Sequence, residues 1–134
     1  MKTYLCALFA SASFSLSAAT LELDDGIQIL AINGQTISTA PSSTVTLASG
    51  AQVIALRYHD LFEYGFEQHE FVNSGVHIVK FDATANERYQ LVLPDMNVEQ
   101  ARRFALQPKF SMHGSVPVQV EQWDQNQLLS KLFE

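Results

Sequence analysis

Residues 50–81, GAQVIALRYHDLFEYGFEQHEFVNSGVHIVKF, decide the fold. QVIALRY (52–58) and VHIVKF (76–81) are short runs dense in β-branched and aromatic residues, the composition of strands rather than of an amphipathic helix. QVIALRY is apolar on both sides and belongs in the centre of a sheet. The residues between the two runs read as the loop that joins them.

Working outward, TLEL (20–23), IQILAI (27–32), VTL (45–47), RYQLVL (88–93) and VPVQVEQW (116–123) have the same character. In RYQLVL, Tyr89, Leu91 and Leu93 point one way and Arg88, Gln90 and Val92 the other. Val116, Val118 and Val120 likewise oppose Gln119 and Glu121. IQILAI, apolar on both faces, is placed with QVIALRY at a sheet centre. Turn signals separate the runs: Asp24-Asp25-Gly26, Asn33-Gly34 with its type I′ hairpin preference, Pro41-Ser42-Ser43 and Ser49-Gly50. The pattern predicts a mainly all-β domain, an Ig-like or Greek-key β-sandwich of about seven short strands with one short helix near residues 97–106. For that helix, Asp95 or Asn97 offers the N-cap and Gln100 a capping-box partner. Val98, Ala101, Phe104 and Ala105 form its apolar stripe, and Pro108 stops it. The tail NQLLSKLFE fits either an edge strand or a helix with Leu128, Leu129, Leu132 and Phe133 on one face.

LDDGIQILAI (23–32) and LASGAQVIAL (47–56) share the pattern Leu-x-x-Gly-x-Gln-aliphatic-aliphatic-Ala-aliphatic. Two consecutive strand-turn-strand copies explain it, as does convergence of two unrelated hairpins.

The first nineteen residues read as a cleaved export signal: Lys2 is the charged start, Tyr4 to Leu16 the apolar segment, Ser17-Ala18-Ala19 the cleavage site. The stretch is too short and too serine-rich for an anchor, so no stable membrane insertion is expected. Residues 20–134 then form one domain in the periplasm. The single cysteine, Cys6, falls in the leader, so the domain uses neither disulfide nor thiolate ligand and rests on its core. Without Lys2, seven basic residues face fourteen acidic ones, a formal charge of -7. That balance argues against nucleic acid and anionic lipid headgroups as partners.

The stretch 57–71 also carries the chemistry. His59-Asp60 and His69-Glu70 pair histidines with carboxylates, but two histidines ten residues apart, without HExxH, HxH or cysteine, fall short of a zinc or copper ligand set. No metal or other cofactor is expected, although metal binding stays open as a lesser alternative. Tyr58, Leu61, Phe62, Tyr64, Phe66 and Phe71 are crowded together. Packing onto the core suits Phe62 and Phe71, whereas Tyr64 and Phe66 beside Gly65 suit recognition. Tyr58, His59, Phe62, Tyr64, Phe66 and His69 are therefore the candidate recognition loop. There is no serine triad and no phosphate-cradling loop. Asp24-Asp25 fits a turn better than an acid/base pair, Arg102-Arg103 fits a solvated helix face or partners for nearby acids better than an anion site, and Trp123 offers a sugar-stacking platform only if it does not cover the core. No catalytic residues are assigned and no enzyme is expected.

LELDDGIQILAINGQ, GAQVIALRYHDLF leading into SGVHIVKF, and YQLVLP followed by ARRFALQPKF resemble, in order and spacing, the YccT-like proteins. These are exported proteobacterial envelope proteins of mostly unknown function. The resemblance runs from Leu21 to Val120 and implies periplasmic residence, a β-rich domain and no catalytic set. The family's best-known branch is described as a curli assembly inhibitor, which implies a protein partner in the envelope, such as an amyloid subunit. Many relatives carry a longer C-terminal part, whereas this chain stops at Glu134. The expected function is a periplasmic, non-enzymatic interaction protein that binds extended polypeptide; the alternatives are a small-ligand or glycan-binding envelope module and a metal-binding periplasmic protein.

Overall fold

The computed structural model describes residues 18–37 and 44–133. Residues 1–17 of the expected leader and the Pro41-Ser42-Ser43 turn lie outside them. In chain order the elements are β1 (Ala19–Leu23), β2 (Ile27–Ile32), β3 (Gln35–Thr36), β4 (Thr44–Leu47), β5 (Gly50–Glu63), β6 (His69–Asn73), β7 (His77–Ala83), β8 (Arg88–Val92), α1 (Val98–Leu106), β9 (Ser111–His113), β10 (Glu121–Asp124) and α2 (Gln125–Leu132).

Two sheets form a mainly β, sandwich-like fold. One has the strand order β4-β1-β8-β9; the other runs β10-β7-β5-β2-β3, with β6 pairing β5. Leu21, Leu47, Tyr89 and Leu91 from the first sheet and Ile54, Leu56, Val79 and Phe81 from the second make one buried core. The Phe81 and Tyr89 rings meet edge to face at 5.4 Å. The alternation read in RYQLVL holds, since Tyr89 and Leu91 are buried while Arg88 and Gln90 are exposed.

The repeated pattern corresponds to a local two-fold arrangement. β1 pairs antiparallel with β4 with Leu21 opposite Val45, and β2 pairs antiparallel with β5 with Ala31 opposite Ala55. Both pairs are separated by the same offset of 24 residues that aligns the two sequence copies. Each copy therefore gives one strand to each sheet, and equivalent residues lie across from one another in both. The crossing between sheets is made at Gly26 (φ 95°) and Gly50 (φ 104°), a left-handed backbone that other residues rarely adopt. At Gly26 a Cβ would also meet Tyr58 at 3.2 Å and Leu93 at 3.3 Å. The Asn33-Gly34 turn has positive φ at both residues, 52° and 82°, as a type I′ hairpin requires.

α1 matches its expected span, with Asn97 as N-cap and the Asn97/Gln100 capping box complete. Its Ala101 is buried, and the Phe104 ring meets Tyr58 edge to face at 5.2 Å. The tail is a helix, opened by a second capping box between Asp124 and Gln127. Three expectations are corrected. Of VPVQVEQW only Glu121, Gln122 and Trp123 are strand, within β10. IQILAI lies next to the two-residue edge strand β3, not at the sheet centre, which β5 alone of the pair occupies. The expected loop after Tyr58 is a continuation of β5 to Glu63, with β6 returning alongside. Backbone pairing across the arm satisfies the polar groups that a loop would have left to water.

Candidate functional site

β5 is 14 residues long, whereas β2 beside it has 6 and its pairing stops at Ile27 opposite Tyr58. Beyond Tyr58, β5 continues with β6 as a two-stranded arm reaching past its sheet. The register fixes the two faces. His59 opposes Asn73, Leu61 opposes Phe71 and Glu63 opposes His69 on one face; Asp60 opposes Val72 and Phe62 opposes Glu70 on the other. The second face looks inward: Val72 is buried and Phe62 packs against the core. The first looks out, with Leu61 40% and Phe71 54% exposed, while Phe66 at the tip is wholly exposed.

A bulge sets this orientation. β5 residues pair with β6 so that His59 faces Asn73, yet with β7 so that Leu56 faces His77, which leaves one extra residue on the returning strand. Ser74 fills the step. Its amide donates to the Tyr58 carbonyl at 2.9 Å, and its hydroxyl accepts from the Tyr58 amide at 2.8 Å. Because side chains alternate, the extra residue reverses parity: odd-numbered Val79, Phe81 and Ala83 point to the core in β7, but even-numbered Val72 does so in β6.

α1 holds the arm. Arg102 Nε donates to Glu70 Oε1 at 2.9 Å, its Nη2 donates to Glu70 Oε2, and the Tyr64 hydroxyl donates to the same Oε2. These bonds, Arg102 first and Tyr64 second, hold the Glu70 carboxyl down at about 2. The bond to Glu70 raises the Tyr64 hydroxyl. Tyr58 is pushed up to about 12 by burial first and by Asp60 second.

The expected site residues thus divide. His59, Tyr64, Phe66 and His69 lie on the arm's outward face or tip, joined by Leu61 and Phe71. The His59 ring stacks on Phe71 at 5.4 Å, and His69 meets the same ring edge-on at 6.2 Å. His59 Nδ1 also hydrogen-bonds Asn73 Oδ1. Tyr58 is buried in the core and Phe62 faces inward, so neither presents its ring to the outward face. Phe71, expected in the core, is outward because the parity reversal gives the inward place to Val72.

Among the described residues no group of three or more His, Cys, Asp or Glu is placed to hold a metal ion, and no helix is long and apolar enough to cross a membrane. Trp123 sits on β10 opposite Ile78 with Lys131 Nζ 3.6 Å from its ring centroid, so that face of the indole is occupied. His69 and Ile78 are nine residues apart along the ladder, roughly 30 Å at strand rise, so Trp123 and the arm tip do not form one platform.

The family model described as "Uncharacterized protein conserved in bacteria (DUF2057)" matches residues 20–133. The chain belongs to this family. A UPF0319 protein of Shewanella oneidensis is 29% identical over 132 residues, covering 90% of this chain and 58% of that protein. The chain therefore spans less than two thirds of that relative's length. No solved structure matches the chain.

Proposed function

We propose that this member of an uncharacterised bacterial family is an exported, non-enzymatic interaction protein that binds extended polypeptide in the cell envelope through the outward face of its β5–β6 arm. The observation that carries this reading is the arm itself: a paired ribbon with Leu61 and Phe71 side by side on its open face and Phe66 wholly exposed at its tip. Apolar side chains collected on one projecting element are costly in water unless a partner covers them. A loop loses conformational entropy when it orders on binding; this ribbon is already paired and pinned to α1 through Glu70 and Arg102.

The face, more than the edge, is the binding element. On the β2 side of β5 the His59 amide donates to the Gly26 carbonyl at 2.8 Å, and beyond it the Leu61 amide donates to Oδ1 of the neighbouring Asp60 at 2.9 Å. An incoming strand would have to displace those bonds.

The resemblance to YccT-like proteins supports an amyloid subunit of the curli type as the first partner to test. Fibrillation of such a subunit is followed with the protein added substoichiometrically. A longer lag or slower growth, lost with Phe66→Ala and Phe71→Ala, supports the reading. Unchanged kinetics remove that subunit as partner, and in-cell crosslinking from position 66 then reports whether any envelope protein contacts the tip.

A further inference from the structure

We propose that the β5–β6 face selects a cationic partner segment: a short extended polypeptide with apolar residues at alternate positions and Lys or Arg at one end. This rests on the proposed role of the arm as an interaction surface and adds the chemistry of what it accepts.

Residues 59–73 contain Asp60, Glu63, Glu67 and Glu70 and no lysine or arginine. Two of the four carboxylates are engaged within the fold. Glu70 is held by Arg102 and Tyr64, and Asp60 accepts from the Leu61 amide and from the Tyr58 hydroxyl at 3.3 Å. Glu63 and Glu67 are both exposed. Glu63 stands on the outward face beside Leu61, and Glu67 follows Phe66 in the turn, with φ 70°. The apolar centre formed by Leu61 and Phe71 is therefore bounded at its tip end by negative charge.

The geometry limits the occupant as well. The arm pairs over five residues of each strand, a face of about 17 Å at strand rise. A segment of about five extended residues covers that length, with two or three side chains of one parity on Leu61 and Phe71. A Lys or Arg at its end then reaches Glu63 or Glu67, while an acidic residue there meets like charge. Exposed pairs contribute little affinity individually but discriminate by sign, because the repulsive alternative is also disfavoured.

The test uses the intact protein and two labelled peptides with the same alternating valine core, one ended with lysines and one with glutamates. Binding is read by fluorescence anisotropy. At low salt the lysine peptide is expected to bind about tenfold tighter, a preference that shrinks as salt screens it. Glu63→Gln with Glu67→Gln should remove the preference, and Leu61→Ala with Phe71→Ala should weaken both peptides. Equal binding of the two peptides, or a preference untouched by the Glu63/Glu67 variant, overturns the charge selection while leaving the face as a binding surface. Binding of neither peptide, or binding indifferent to the Leu61/Phe71 variant, overturns the choice of this face and with it the proposed role of the arm.

Discussion

Ser74→Ala tests how the arm is joined to the body. The Ser74 hydroxyl is the acceptor for the amide of Tyr58, a residue with no exposed surface, at 2.8 Å, and it donates to the Gly75 carbonyl at 2.8 Å. Alanine removes few atoms and leaves the backbone bond from the Ser74 amide to the Tyr58 carbonyl in place. The loss is therefore mainly that of a buried N–H left without an acceptor, which costs about 1–3 kcal/mol. Against a domain stability of roughly 5–15 kcal/mol that is a large effect for one oxygen atom. Urea unfolding should show a lower midpoint at unchanged slope. Native-state hydrogen exchange supplies the specific signature: the Tyr58 amide should lose protection relative to the Leu56 amide two residues away. A stability change below about 0.5 kcal/mol together with unchanged Tyr58 protection would refute the reasoning, since only a replacement acceptor at the bulge explains both.

Four further outcomes are expected. Gln52→Leu should destabilise by about 1–3 kcal/mol in chemical denaturation despite its added apolar surface, because Gln52 Oε1 accepts from Asn33 Nδ2 at 2.9 Å and its Nε2 donates to the Ala48 carbonyl at 2.7 Å. Phe66→Ala, at a wholly exposed ring, should leave thermal stability within about 0.5 kcal/mol of the parent; a larger loss would mean that the tip packs on something in solution. Glu70 has its carboxyl lowered from 4.5 to about 2 in the folded state, so its stabilisation of the arm is complete above pH 4.5 and is lost as pH falls towards 2. The Tyr64 ring resonances followed by NMR should report that loosening, and Arg102→Ala, which removes the larger cause and leaves the Tyr64 bond, should move the transition to higher pH. Burial lowers His77 against a smaller opposing effect of Asp124, so the neutral ring is favoured in the fold; stability from this source is present above pH 6.5 and is lost as pH falls below it. Melting temperature scanned from pH 8 to pH 5, about the range of histidine titration, should fall less in His77→Gln than in the parent.

The elements legible in the sequence are those in which local and global signals agree. RYQLVL alternates and is half-buried as alternation demands; Asn33-Gly34 turns where a type I′ hairpin needs positive φ; Asn97 and Gln100 cap a helix whose stripe meets the core. The arm was not legible as strand for two physical reasons. Both of its faces carry large apolar residues, Phe62 and Val72 inward, Leu61 and Phe71 outward, so no clean alternation marks it. The bulge at Ser74 then breaks the parity between 69–73 and 77–83, so no single period runs through the returning strand. Aromatic density does mark the segment that forms the arm. It could not separate Tyr58, buried, from Phe66, exposed, because that division depends on pairing partners distant in the chain. The second capping box, Asp124 with Gln127, was present in the sequence and would have decided the tail in favour of helix.

The arm can be traced to a departure from the internal symmetry. Under the 24-residue offset, β2 corresponds to residues 51–56 of β5, and the Asn33-Gly34 turn that ends the first copy corresponds to Arg57-Tyr58 in the second. Where the first copy has the dipeptide that reverses the chain, the second has a long cation and a ring suited to continued strand. Arg57 Nε donates to Gln28 Oε1 at 2.7 Å across to the first copy, and Tyr58 fills the core beneath α1. With no turn at that point, β5 runs on for five more residues, from His59 to Glu63, and must find a partner beyond the reach of β2. β6 is that partner. The pairs β1–β4 and β2–β5 are therefore built from the part of the two copies that agrees, and the projecting arm comes from the part that differs, which is why the same dipeptide position in one copy closes a hairpin and in the other opens the arm.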